Sequence, residues 1–121
     1  MIQIPNRYTG DVILEVPGDT LCGADLRDAE LRNADLRYAN LANADLSGAN
    51  LRHADLRGAD LRYADLANAN LSGANLCYAN LCDAKLCDAD LSYADLRFAD
   101  LCGASMKRTT ISLGNRVVTL P

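Results

Sequence analysis

Residues 41–65 read LANADLSGANLRHADLRGADLRYAD, and the order within this stretch decides the fold. Leu41, Leu46, Leu51, Leu56 and Leu61 recur at every fifth residue, and Ala44, Ala49, Ala54, Ala59 and Ala64 keep the same step. Followed outward, the Leu series runs unbroken from Leu21 to Leu101 and the Ala series from Ala24 to Ala104, seventeen occurrences each. Asp or Asn usually stands between them, as in Ala24-Asp25-Leu26 and Ala39-Asn40-Leu41, so the unit is Ala-(Asp/Asn)-Leu-X-X. A strict short period held over most of a chain is the mark of a solenoid.

A step of five excludes simpler structures. An α-helix turns about 100° per residue, so each step would move Leu by ~140° and scatter it around the axis. In one uninterrupted strand, side chains alternate with period two, and an odd step would send successive Leu to opposite faces. The remaining solution is a short extended piece followed by a turn that resets direction. Leu and the Ala two residues before it then point inward, while Asp/Asn and both X residues point outward. Ala is required inside because chain segments converging on one axis leave little room beside Leu. Asp, Asn and Gly suit the turn, since they bond their own backbone or tolerate unusual dihedrals. The ladder positions expected at mid-rod include Leu41, Leu61, Leu81, Ala44, Ala64 and Ala84.

The run from Leu21 to about Ile111 resembles the pentapeptide-repeat family. The resemblance implies an all-β fold: a right-handed quadrilateral parallel β-helix with four units, hence twenty residues, per coil and about four to five coils. Neighbouring coils should then lie ~4.8 Å apart, as adjacent strands do. The organisation expected is an N-terminal β cap at 1–20, the repeat β-helix at 21–111 and a C-terminal β cap at 112–121. Ile2-Gln3-Ile4 and Val12-Ile13-Leu14-Glu15-Val16 have strand composition, and Ile111-Ser112-Leu113 and Val117-Val118-Thr119-Leu120 flank a Gly114-Asn115 turn. A solenoid needs such covers, because each end exposes an apolar cross-section and unpaired strand edges.

With that coil length, each outward residue falls on one of four faces, named here by their first Leu. Seven residues that follow Leu are Arg, and six of these have an acid two positions earlier, for example Asp95 before Arg97 and Asp55 before Arg57. Such exposed pairs are worth ~0–1 kcal/mol, so replacing Arg57 should cost under ~1 kcal/mol. The Leu26 face departs from this balance. Its column before Leu reads Asp25, Asp45, Asp65, Lys85, Ser105, and Asp28 and Asp88 add acids at the second X. Asp25, Asp45, Asp65 and Asp88 are therefore the candidate contacts for a basic partner, beside the alternative that they bond nearby amides and shape the turn. The Leu36 face carries Tyr38, Gly58, Tyr78 and Phe98; its aromatic residues are a second candidate contact patch, or a stack that ties coils together.

All five cysteines, Cys22, Cys77, Cys82, Cys87 and Cys102, occupy the first X slot. Cys77, Cys82 and Cys87 lie on successive faces and diverge, whereas zinc ligands must converge to ~2.3 Å from one ion; Cys82 and Cys102 share a column. Free thiols, no metal and no cofactor are expected. The only histidine, His53, reads as a surface residue, and no catalytic pairing departs from the repeat logic.

The chain has 121 residues and a net charge of −4, which argues against direct nucleic-acid binding and against an anionic membrane surface. No apolar run nears the ~20 residues of a membrane span, and no leader-like pattern opens the chain. Together with the unpaired cysteine count, this reads as a cytoplasmic protein, a monomer or weak dimer. The function expected is a non-enzymatic scaffold or protein-interaction module whose partner is a protein the sequence does not name. The alternative, implied by the family resemblance, is a DNA-mimicking modulator of DNA gyrase or topoisomerase IV. Charge weighs against a full mimic. A rod of roughly 22 Å corresponds to about thirteen duplex phosphates at one per ~1.7 Å, whereas residues 21–105 carry thirteen acids and eight bases.

Overall fold

In a computed structural model describing residues 1–121, the Leu-X-X-Ala segment of each unit closes into a β-turn. The Ala amide donates to the carbonyl of the Leu three residues before it, as from Ala64 to Leu61 at 3.0 Å. From Gly23 to Arg108 every second X residue is left-handed, with φ between 56° and 72°. A left-handed third residue is the requirement of a type II turn.

The other amides of the unit follow a fixed scheme. The Leu26 N–H donates to the Asp45 carbonyl at 2.7 Å, Asp28 N–H to Ser47 at 2.9 Å, and Asp45 N–H back to Ala24 at 2.9 Å. The remaining amide, that of the first X residue, is taken by the Asp/Asn side chain two residues earlier, as from Ala67 to Asp65 Oδ1 and Ser72 to Asn70 Oδ1, both at 3.0 Å. All five amides of a standard unit are thus satisfied, which buried backbone demands. This explains the Asp/Asn preference: a short side chain with an acceptor two bonds beyond Cβ reaches that amide.

These bonds stack the chain on itself with a twenty-residue offset. Parallel bridges join Asp25 to Asp45, Asp45 to Asp65 and Asp65 to Lys85, and the same offset continues on the other faces through Asn80–Asp100. Inside, Leu41 and Leu61 are fully buried, as are Ala64 and Ala84, while Leu81 and Ala44 are 1% exposed. The core is one cluster of 28 residues, all repeat Leu and Ala except Ile4 and Val16. The structure contains no helix, and none is therefore long and apolar enough to cross a membrane.

Both ends carry hairpins. Strands β1 (Ile2–Pro5) and β2 (Val12–Val16) pair antiparallel, Ile2 opposite Val16 and Ile4 opposite Leu14. This hairpin sits on the first turn of the ladder: Arg7 N–H donates to the Asn33 carbonyl and Asp35 N–H to the Pro5 carbonyl, both at 2.8 Å. Ala34 beneath it is fully buried, whereas Ala24, Ala29 and Ala39 are only partly buried. At the other end β3 (Asp90–Leu91) pairs in parallel with β4 (Thr110–Leu113), and β4 pairs antiparallel with β5 (Arg116–Thr119). Thr109 stands in an Ala slot fully buried, and its hydroxyl donates to the Leu86 carbonyl at 2.6 Å.

Candidate functional site

The acids of the Leu26 face sit on consecutive bridged rungs, and each meets a different local environment. Asp25 accepts two hydrogen bonds from Arg27, Nε to Oδ1 and Nη2 to Oδ2, both at 2.8 Å, and the guanidinium holds its pKa down at about 2. Asp45 accepts from the Ser47 hydroxyl at 2.6 Å and the Ser47 amide at 3.0 Å, which keep its carboxyl below the usual range. Arg27 Nε is 3.9 Å from its second oxygen. Asp65 accepts only the Ala67 amide, so its second oxygen faces outward without a cation.

Asp88 differs from the other three. Arg108 clamps it, Nε to Oδ1 at 2.7 Å and Nη2 to Oδ2 at 3.0 Å, and holds its pKa down. Lys107 and Arg108 fill the two X slots after Met106, on the same face, and counting the face only to Ser105 leaves them out. The face is consequently divided: Asp25, Asp28, Asp45 and Asp65 against Arg27 at one end, Lys85, Lys107 and Arg108 against Asp88 at the other.

On the Leu36 face Tyr38, Tyr78 and Phe98 are 80%, 67% and 74% exposed. Tyr78 and Phe98 stack with centroids 4.9 Å apart and planes 12° from parallel. Tyr38 lies flat over Gly58, where an added Cβ would fall 2.6 Å from two ring carbons. His53 covers Gly73 in the same way, with Nδ1 2.5 Å from where a Cβ would sit. Side chains at the second X therefore lean over the following turn of the ladder, and glycine leaves them room.

The outward pairs are mostly formed. Asp35–Arg37, Asp60–Arg62 and Asp95–Arg97 each make fork-like contacts of the Asp25–Arg27 kind. Glu30 and Arg32 do not; Glu30 instead accepts from Asn50 Nδ2 of the next turn at 3.1 Å. The longer Glu side chain does not make the hydrogen bond to the amide two residues on that anchors Asp.

Asp55 corrects the reading of Arg57 as an ordinary exposed partner. Asp55 is 2% exposed, the one buried charged residue of the chain. Arg57 grips both of its oxygens, and Arg7 from the N-terminal hairpin approaches with Nη2 at 3.6 Å while donating from Nη1 to the His53 carbonyl at 3.0 Å. Burial pushes the Asp55 carboxyl up, but the Arg57 hydrogen bonds and the charges of Arg57 and Arg7 outweigh it and leave the pKa below the ordinary value. Nothing in the repeat announces a contact spanning 46 residues; the hairpin that carries Arg7 lies outside the period.

A groove of about 320 Å³ separates β1 from Leu21, Leu36 and Arg37, and the ionic groups lining it include Asp35 and Arg37, already bonded to one another. No three His, Cys, Asp or Glu side chains are grouped to hold a metal. Cys22 and Cys102 are exposed, and Cys77, Cys82 and Cys87 are half-buried.

Comparison with known proteins bears on what such a surface belongs to. No curated protein sequence matches the chain. Among solved structures, similar ones include HetL, a pentapeptide-repeat protein involved in heterocyst differentiation regulation from Nostoc sp. PCC 7120, at 38% identity over 74% of this chain and 49% of that one, TM-score 0.40. Another is Rfr23 from Cyanothece 51142, at 36% identity over 71% of this chain and 60% of that one, TM-score 0.38. The fluoroquinolone resistance protein QnrB1 aligns at 22% identity over 75% of this chain and 47% of that one, TM-score 0.49. The chain thus spans about half the length of the first of these. The family model for pentapeptide repeats matches in overlapping blocks at residues 20–52, 39–76 and 69–108, with eight copies, and the chain belongs to the pentapeptide-repeat family.

Proposed function

We propose that this chain is a non-enzymatic protein-interaction module that engages a basic protein surface through the acidic half of its Leu26 face. The observation that carries this reading is the rung pair Asp45–Asp65, adjacent on one face and both without an Arg in hydrogen-bond reach; Asp90 and Asp100, the other Asp residues of this slot without one, stack on Asn70 and Asn80 instead. On the other faces Asp35, Asp55, Asp60 and Asp95 are each paired with an Arg, and Asp35 and Arg37, which line the groove beside β1, are bonded to one another. Tyr38, Tyr78 and Phe98 form the second contact patch. The twenty-residue ladder and its four units per turn support a right-handed quadrilateral β-helix of about four to five coils, with the hairpins at 1–20 and 112–121 acting as caps. The working state is a monomer or weak dimer in the cytoplasm.

The gyrase reading asks for a phosphate-like density of free negative charge. Five of the eight bases already counted in residues 21–105, Arg27, Arg37, Arg57, Arg62 and Arg97, sit directly on acids, and Arg108 outside that span takes Asp88 as well.

Affinity capture from the source cell with the parent and the Asp45→Asn/Asp65→Asn variant tests the proposal, with purified gyrase assayed for supercoiling alongside. The parent should retain partners that salt displaces, and the double variant should lose them while melting alike. Lys85→Ala should retain them slightly better. If the double variant retains every partner of the parent, the acidic half is not the contact; inhibition of supercoiling by the parent but not by the double variant would favour gyrase.

A further inference from the structure

Cys82 and Cys102 follow Leu81 and Leu101 in consecutive turns of the ladder. The rungs around them are in register, Asn80 with Asp100 and Lys85 with Ser105, and the Asp83 amide donates to the Cys102 carbonyl at 2.9 Å. Their Cα atoms are therefore about one strand spacing apart, ~4.8 Å, inside the ~4.4–6.8 Å that a disulfide spans. Both side chains leave the ladder on the same side. The other thiols lack such a neighbour: the residues twenty away are Ala42 for Cys22, Arg57 and Arg97 for Cys77, and Ala67 and Lys107 for Cys87.

The two thiols also differ in a useful way. Cys102 is exposed and Cys82 half-buried. The Asp100 carboxylate faces Cys82 and, with burial and the charge of Cys102, pushes its thiol up. Cys102 is thus the thiol that meets a reagent first, with Cys82 beside it to resolve the product. Their position matters too. Leu81 and Ala84 are buried, whereas Leu96, Ala99, Leu101 and Ala104 of the last turn are only partly so. Weakly covered elements open first, and this pair straddles the boundary.

We propose that Cys82 and Cys102 are a redox modification site, closing to an intramolecular disulfide by exchange with a small-molecule disulfide of the glutathione class. The Cys102 thiolate attacks one sulfur of the reagent and releases one thiolate, leaving a mixed disulfide on Cys102. The Cys82 thiolate then attacks the Cys102 sulfur and releases the second thiolate. The two protein thiols lose their protons and together two electrons, and the reagent leaves as two thiols. The product pins the last turn of the ladder to the one before it.

The test exposes the native chain to excess oxidised glutathione, blocks remaining thiols and digests with trypsin. Cleavage after Arg62, Lys85, Arg97 and Lys107 places Cys82 in the 63–85 peptide, together with Cys77, and Cys102 in the 98–107 peptide. The expected result is a covalent link between these peptides, with fragmentation assigning it to Cys82, and severalfold slower amide hydrogen exchange over 98–104 than in the reduced chain. Cys82→Ser should stop at a glutathione adduct on Cys102 and show no slowing. Glutathione adducts alone on the parent, a link through Cys77, or a link found only between copies would overturn the proposal.

Discussion

Arg7 and Asp55 are 48 residues apart in sequence, yet the Arg7 guanidinium stands 3.6 Å from the Asp55 carboxylate, joining the N-terminal hairpin to the flank of the ladder. Asp55 is thereby deprived of water and depends on Arg57 and Arg7 together. Arg57→Ala should destabilise by about 2–4 kcal/mol, because it leaves a buried carboxylate short of its main partner. Arg62→Ala, whose partner Asp60 remains partly exposed, should cost under ~1 kcal/mol. Urea unfolding of both variants measures the difference, and equal costs would mean that Asp55 is solvated.

Acid should unfold the protein through its carboxylates. Asp25, Asp35, Asp55, Asp60, Asp88 and Asp95, held by Arg partners, all have pKa values below the ordinary 3.8, as do Asp45 and Asp100, held by hydrogen bonds. A depressed folded-state pKa means that the unfolded chain takes up protons first, so stability is fully present above about pH 5 and is lost as pH falls through 4 toward 2. Denaturant midpoints measured from pH 7 to pH 2 should be flat and then fall. Asp55→Asn should show a shallower fall than the parent.

The interior should refuse added volume on one side only. Ala64 is fully buried at mid-rod, and Ala64→Leu should cost at least ~1–3 kcal/mol, since the turns above and below hold the wall in place. Ala67→Leu, at an outward slot three residues away, should stay within about 0.5 kcal/mol. Comparable melting temperatures for the two variants would contradict the inside and outside assignment.

Gly58 answers for both its backbone and its neighbour. Its φ is +67°, and Tyr38 occupies the space where a side chain would begin. Gly58→Ala should destabilise by about 2–3 kcal/mol, of which about 1 kcal/mol is the left-handed backbone cost. Adding Tyr38→Ala should recover the steric share and leave the backbone share. A double-mutant cycle by thermal unfolding isolates the two, and zero coupling would show that the ring moves aside freely.

The period is readable because one physical demand repeats. Leu61 and Ala64 must face the axis, and the acceptor of Asp60 must reach the Arg62 amide, whatever the rest of the surface does. Twenty-residue columns follow from that, and so do the Asp25–Asp45–Asp65 alignment and the Tyr78–Phe98 stack. Contacts that use aperiodic residues stay hidden. Arg7 comes from a hairpin with no register to the repeat, so the burial of Asp55 has no sequence pattern, whereas Arg108 stands twenty residues after Asp88 in the same column and is missed only when the column is not followed past Ser105. The left-handed slot is only partly legible as well: Asn, Asp and Gly fit it, but Tyr63, Tyr93 and Phe98 adopt it too.

The hydrogen-bond scheme makes the interior blind to length changes that the exterior registers fully. Because each unit satisfies its amides through positions that every other unit also supplies, inserting or deleting five residues keeps Leu on Leu and Ala on Ala along the axis. All later columns, however, move round by one face. A five-residue loss between Asp45 and Asp65 would set Asp45 above Asn70 and send Lys85, Lys107 and Arg108 to a neighbouring side. A twenty-residue loss would shorten the rod and leave every column in place. Within such a lineage, surface chemistry can therefore be reshuffled by indels in steps of one face, without any test of the fold.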